Sequence, residues 1–362
     1  MKILILKPSS LGDVVQALPV LRLLKRRFPD SQIYWWIFSD LQPLLEGDPD
    51  LAGIFGFNRQ QWRSPRRLAE LWASLHQMRA LAFDCVIDLQ SLARSACMAW
   101  LASGAFTIGL DDSREGAHAF YDVAVPRPGP HAHAVDWYLA VLRSIGVPVR
   151  WDFEWLPRRP AAAAAIEAKW PVHAGRWLVL QPGARWANKR WPGEHFTQLV
   201  RRLAAADRNL HFVILGGLAD QPLGNAIAQA CPARCLDLTG KSSLPEMVEW
   251  IRLSSAMVTN DTGPMHVAAA LGKPVVALFG PTDPRRTGPY GQIDRILRVS
   301  LPCAPCLKAV CHFEKPLECL KAITPASVQE AVLRSLAAAT SVASGRTEFE
   351  ARIPACLPTH SS

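Results

Sequence analysis

MKILILKPSSLGDVVQALPVL, residues 1–21, carries the reading on which the fold turns. KILILK at 2–7 is a short apolar run closed by a lysine, the pattern of a buried strand. PSSLGD interrupts it with a turn. Val14, Leu18 and Leu21 then recur at helical spacing and give the next segment an apolar face. Strand, turn and helix in this order open a parallel α/β unit, and the following sequence repeats the device. IYWWIF at 33–38, GIFGF at 53–57 and DCVIDL at 84–89 are expected strands, and 64–82 and 132–146 expected helices.

The stretch GVPVRWDFEWLPRRPAAAAA at 146–165 is rich in proline and irregular, and is expected to link two domains. The alternation then restarts. WLVLQPG at 177–183, HFVILGG at 211–217, CLDLTG at 235–240, AMVTND at 256–261 and PVVALFG at 274–280 are expected strands, with helices in most gaps. This predicts an α/β protein of two Rossmann-like domains, 1–160 and 161–340, hinged near 150–170 over a central cleft. The last helix, near 325–338, is expected to pack back toward the first domain. A Ser-, Ala- and Pro-rich tail at 341–362 is expected to be disordered.

The 362 residues are 49% hydrophobic and 20% charged, enough to fill two cores. No run reaches the roughly 20 apolar residues of a membrane span. Lys7 and Asp13 come too early for a secretory leader, so a cytoplasmic protein is expected. The net charge is +9 and uneven: residues 1–160 hold 18 Lys/Arg against 16 Asp/Glu, and the rest 22 against 15. A basic second half suits a phosphorylated ligand or an anionic membrane face, or merely aids solubility. No nucleic-acid-binding motif is present, so no nucleic acid partner is expected.

Three constellations carry chemistry. Ser9-Ser10-Leu11-Gly12-Asp13 joins a strand to a helix, where Asp13 either caps the helix or faces a cleft as a proton acceptor. Asn260-Asp261-Thr262-Gly263-Pro264-Met265-His266 repeats the arrangement, and its helix N-terminus can bind an anion. Gln181 to Pro192 is a cationic, aromatic loop in which Lys189 suits a diphosphate. Each has a plainer reading, as a capped helix or a solvated loop. Walker A and G-x-G-x-x-G sequences are absent.

The order and spacing of SSLGD, KRWP, NDTGPMH and FGPTDP resemble those of the ADP-heptose:lipopolysaccharide heptosyltransferases, over about residues 1–340. The resemblance implies a GT-B glycosyltransferase fold and an inverting transfer of heptose from ADP-heptose to the inner core of lipopolysaccharide, without metal or cofactor. It implies Asp13 as general base. Lys189, Asp261, Thr262, Gly263 and His266 fall on donor-binding positions. Ser10, Gly12, Arg94 and Arg114 fall where the lipid-linked Kdo/heptose acceptor is met, and Arg59, Arg63, Arg66 and Arg67 form a further basic cluster. Peripheral contact with the inner membrane is also implied. Gly183-Ala184-Arg185 departs from the hydroxyl-bearing loop of some members. Cys303, Cys306, Cys311 and Cys319 resemble the branch that adds the second heptose, and either hold a structural metal or pack as reduced thiols. Two other readings stay open: a different nucleotide sugar for another surface glycan, and a non-catalytic binding protein, which would have no need of a base at Asp13.

Overall fold

The computed structural model describes residues 1–58, 65–112 and 114–350, without the side chains of 65–71, Arg114 and 339–350. In the first half the elements run β1 (Lys2–Leu6), α1 (Leu11–Arg27), β2 (Gln32–Phe38), β3 (Gly53–Phe57), α2 (Pro65–Leu81), β4 (Cys85–Asp88), α3 (Ala93–Ala102), β5 (Thr107–Asp111), β6 (Val123–Pro126) and α4 (Ala134–Ser144). The second half runs α5 (Pro160–Lys169), β7 (Arg176–Gln181), α6 (Gly193–Ala206), β8 (Leu210–Ile214), α7 (Gln221–Ala228), β9 (Cys235–Asp237), α8 (Leu244–Leu253), β10 (Ala256–Asn260), α9 (Gly263–Ala270), β11 (Val275–Phe279), α10 (Pro284–Thr287), β12 (Ile296–Arg298), α11 (Glu318–Lys321) and α12 (Pro325–Glu350).

Among the described residues these strands form two six-stranded sheets. Every pairing is parallel. The orders are β3-β2-β1-β4-β5-β6 and β12-β11-β10-β7-β8-β9. Counted from its own first strand, each sheet has the doubly wound order 3-2-1-4-5-6. The chain therefore reverses direction between β1 and β4, and again between β7 and β10. A crevice opens at the carboxyl ends of those strands, the place where ligands bind in such sheets. Ile3, Leu4, Ile5 and Leu6 are almost wholly buried, as a central strand covered on both faces requires.

Helix α1 is buried on more than the face marked by Val14, Leu18 and Leu21. Val15, Ala17, Val20 and Leu23 are buried too. The cause is its position: it packs against α4 of its own domain and against α9 of the other. One apolar cluster runs across this seam, from Val14 and Leu18 to Met265, Val267 and Trp250.

Three expectations need correction. The AAAAA of the expected linker belongs to α5, which starts at Pro160 and packs on α8. Proline at the first helical position and an alanine run both favour helix. Over its described side chains the terminal helix packs on the second domain and not the first. Val328, Val332 and Leu336 pack with Phe196, Leu199 and Leu203 of α6 in the core of the second. Arg202 Nε donates to Gln329 Oε1 at 2.9 Å beside them. The same helix continues to Glu350, through part of the expected tail, since no proline interrupts it before Pro354; residues 351–362 lie outside the described residues.

Candidate active site

The site begins where β1 ends. Lys7 is 4% exposed, donates from Nζ to Leu89 O at 2.8 Å and lies 4.9 Å from the Tyr138 ring centroid. Burial works against its charge, but Tyr138 and Asp13 outweigh it and raise the ammonium pKa. Ser10 precedes α1 in extended conformation, and Asp13 is the third helical residue. Asp13 Oδ2 accepts from Ser10 N at 2.8 Å and from Ser10 Oγ at 2.6 Å. Burial would push this carboxyl up; Lys7 foremost, with the Ser10 hydrogen bonds and His266, holds it below the usual carboxylate range. Asp13 is thus a cap and also an ionised group at a cleft.

The facing wall is built at the end of β10. Asn260 Oδ1 accepts from Trp191 N at 3.0 Å, while its Nδ2 donates to Pro182 O at 2.7 Å. These two bonds tie the strand end to the cationic loop. Asp261 Oδ2 accepts from Lys189 Nζ at 2.6 Å and from Thr282 Oγ1 at 2.7 Å. Lys189 also stands 4.8 Å from the Trp186 ring centroid. Thr262 is the extended residue before α9, with Pro264 in the first turn. Of that turn's amides Pro264 has none and Met265 N donates to Thr262 O at 3.2 Å, which leaves the Gly263 amide at the helix N-terminus, a place that favours an anion. His266 is buried, and its Nδ1 lies 3.1 Å from Gln16 Nε2. An amide donor there makes Nδ1 the acceptor and leaves the proton on Nε2. Burial, chiefly, lowers His266 to about 4, so its ring is neutral at neutral pH.

The two walls come very close. A Cβ on Gly12 would overlap Cδ2 of His266, and one on Gly263 would touch Leu11 at 3.0 Å. Glycine at both positions lets the starts of α1 and α9 meet.

Three cavities open around this meeting point. One of about 530 Å³ lies mainly on the first domain, against Lys7, Asp13, Ser91, Arg127 and Tyr138. A second, of about 430 Å³, joins Ser10, Gly12 and Asp13 to Lys189, Asp261 and His266. A third, of about 450 Å³, lies wholly in the second domain, against Gly183, Arg185, Arg190, Gly216, Ser243 and Thr262. Asp13, Trp186, Thr282 and Thr287 line both of the first two. Thr262, Pro264 and Arg185 line both of the last two.

The structure therefore brings Asp13, Lys189, Asp261, Thr262, Gly263 and His266 together. Ser10 and Gly12 line the 430 Å³ cavity and not the 530 Å³ one. Arg94 is exposed on α3 and lines none of these three cavities. The side chains of Arg114, Arg59, Arg63, Arg66 and Arg67 lie outside the described residues. Cys311 Sγ accepts from Leu317 N at 3.4 Å, which lowers its thiol. Burial first, and the other three thiols next, raise Cys319. The four cysteines are thus neighbours, but no group of metal-ligating side chains is found among the described residues. The sequence's Asp-x-Asp, Asp48-Pro49-Asp50, is engaged elsewhere, by Arg22.

Sequence reasoning missed Lys7, Gln16, Arg127, Tyr138 and Arg286 as site residues. A charge closing an otherwise buried strand was the available signal for Lys7. The others reach the site from separate elements and carry no local pattern.

The family model of glycosyltransferase family 9 (heptosyltransferase) matches residues 71–317. Lipopolysaccharide heptosyltransferase 1 of Pseudomonas aeruginosa is 30% identical over 336 residues, covering 87% of this chain and 88% of that protein. Lipopolysaccharide heptosyltransferase 2 of Salmonella typhimurium is 29% identical over 319 residues, covering 83% and 88%. These relatives, named heptosyltransferase 1 and heptosyltransferase 2, thus differ by a single percentage point in identity to this chain. The solved structure of E. coli ADP-heptose lps heptosyltransferase II superimposes with a TM-score of 0.74 at 25% identity, over 93% of this chain and 98% of that one. The doubled sheet with a crevice between, and this extent of match, make the fold GT-B and the protein a glycosyltransferase. The chain belongs to glycosyltransferase family 9, the heptosyltransferases.

Proposed function

We propose that this chain transfers heptose from ADP-heptose to the inner core of lipopolysaccharide, with inversion and with Asp13 as general base. The observation that carries this reading is the position of Asp13 on both the 530 Å³ and the 430 Å³ cavities. A group on that shared edge touches an acceptor from one side and a sugar donor from the other. The acceptor hydroxyl gives its proton to Asp13 as its oxygen attacks the anomeric carbon. The bond from that carbon to the diphosphate breaks, and ADP leaves with the electron pair. Lys189 and the Gly263 amide at the start of α9 meet the charge that develops on the diphosphate. The 450 Å³ cavity takes the nucleoside. The names of the relatives supply the substrate classes, and the paired cavities fit them.

The acceptor is lipid-linked, and the protein works at the cytoplasmic face of the inner membrane. No helix among the described residues is long and apolar enough to cross a membrane. Trp72 and Trp100 are 65% and 64% exposed on α2 and α3, and Trp is a residue of membrane interfaces. Flotation with anionic vesicles should recover the wild type and lose Trp72→Ser/Trp100→Ser; equal recovery removes these helices from the contact.

The reading is tested by incubating the purified chain with several nucleotide sugars and truncated core acceptors. Product should form with ADP-heptose. Calorimetry should show ADP binding more tightly than UDP, with a loss of roughly tenfold or more in Lys189→Ala. Turnover with another nucleotide sugar alone moves the donor assignment. Binding without turnover of any sugar makes this a binding protein.

A further inference from the structure

We propose that Arg286, on the donor-binding domain, together with Arg127 on the opposite domain, holds an anionic group of the acceptor, a carboxylate or a phosphate. This rests on the reading that the 530 Å³ cavity takes the acceptor, and it adds a recognition element that the second domain supplies.

Both guanidiniums line that cavity with Asp13. Arg127 is set in place by the first domain: it lies over the Trp137 ring, 4.4 Å from the centroid, and Nη1 donates to Ala132 O at 3.1 Å. Arg286 is half-buried, and no hydrogen bond or ion pair involves its side chain among the described residues. Its neighbour Asp283 does not neutralise it. That carboxylate is bound by Arg285, with Nη2 at 2.8 Å and Nε at 3.0 Å, and by His131 at 3.3 Å. Arg285, foremost, holds Asp283 at about 2. Lys7, the third cation of the cavity, is already matched with Asp13. Asp112 is the remaining carboxylate on the wall. A guanidinium on a cavity wall with no ion pair of its own is open to an anion from a ligand, and its planar fork suits carboxylate and phosphate oxygens.

The segment that carries Arg286 is also pinned across the domain seam. His131 meets Asp283, His133 Nε2 lies 2.9 Å from Gly288 O, and Tyr290 OH donates to Asp136 Oδ1 at 2.7 Å. These contacts bracket α10 on both sides and hold Arg286 over the acceptor cavity. An acceptor held by both guanidiniums bridges the domains, so it binds best to the closed cleft.

Arg286→Gln removes the charge, and Arg286→Lys keeps it without the fork. Tryptophan fluorescence of the full chain, titrated with inorganic phosphate and separately with a monosaccharide sugar acid, reads anion binding without requiring turnover. The wild type should bind at least one of them several-fold more tightly than Arg286→Gln, with Arg286→Lys between. Equal affinities in all three proteins overturn the proposal. In turnover, Arg286→Gln should raise acceptor KM roughly tenfold, leave kcat within about twofold and leave ADP affinity unchanged. Acceptors with the carboxylate esterified, or with the phosphate removed, identify the anion: the analogue lacking the contacted group should show no further loss in Arg286→Gln. An unchanged acceptor KM, or undiminished loss with both analogues, refutes the clamp. Failure of the wild type to use any core acceptor refutes the proposed function instead, and the anion titrations still decide the clamp.

Discussion

At Asp13 a single carboxylate caps a helix and faces a cavity edge. Its bonds from Ser10 N and Oγ fix the side chain at the start of α1, and Lys7 keeps it ionised. The two roles separate in Asp13→Asn. Asn keeps a side-chain oxygen that can accept from Ser10 N, but it cannot take a proton. If Asp13 is the base, kcat should fall by about 10²–10⁴-fold with ADP affinity kept. The melting temperature should also drop modestly, because buried Lys7 loses its anion. A lowered melting temperature with near-normal kcat would leave Asp13 as cap and counter-ion only. Asp13, Lys189 and Asp261 were legible in the sequence as cleft residues because each lies on the segment that leads from a strand end into the next helix. Tyr138 and Gln16 were not, because their meaning comes from tertiary neighbours: Lys7 for one and His266, 250 positions away, for the other.

At the scale of elements, the junction of α1 and α9 sets the cleft. Gly12→Ala places a methyl against the buried His266 ring, whose Nδ1 is already held by Gln16, so neither helix yields without loss. Overpacking of this kind typically costs about 1–3 kcal/mol. Chemical denaturation should show a destabilisation in that range, partly recovered in Gly12→Ala/His266→Ala, where the opposing ring is gone. No recovery in the double variant would place the strain elsewhere. Most interior strands were legible because burial on both faces makes them continuous apolar runs, as in VVALF of β11; β5, TIGLD, was missed although it lies inside its sheet, because Thr107 and Gly109 break the run. The edge strands β6 and β12, only four and three residues long, lack such runs. The docking of α12 was misjudged because an apolar face does not name its partner, and the matching surface belonged to α6.

For the whole molecule, the two repeats of one topology were readable, but their closeness was not. The seam is a packed interface: α1 lies on α9, and Arg159 donates to the carbonyls of Pro43 and Leu44 in the first domain. His266 sits inside this seam, and its titration should make stability depend on pH. Its pKa is about 4 in the folded protein against 6.5 when free. A histidine depressed by folding binds its proton more readily in the unfolded chain. Its stabilisation is therefore fully present above about pH 6.5 and is lost as pH falls toward 4. Protonation would also turn Nδ1 from acceptor to donor, facing the amide of Gln16 that now donates to it. Between pH 7.5 and 5.0 these two pKa values correspond to a loss on the order of 2 kcal/mol. His133 has a lowered pKa too, and the carboxylates begin to titrate in the same range, so the comparison must cancel them. His266→Gln does so, since it keeps every other group and cannot be protonated. Denaturant midpoints at pH 7.5 and 5.0 should fall further in the wild type than in His266→Gln. Parallel losses in the two proteins would show that the seam does not sense pH through this ring.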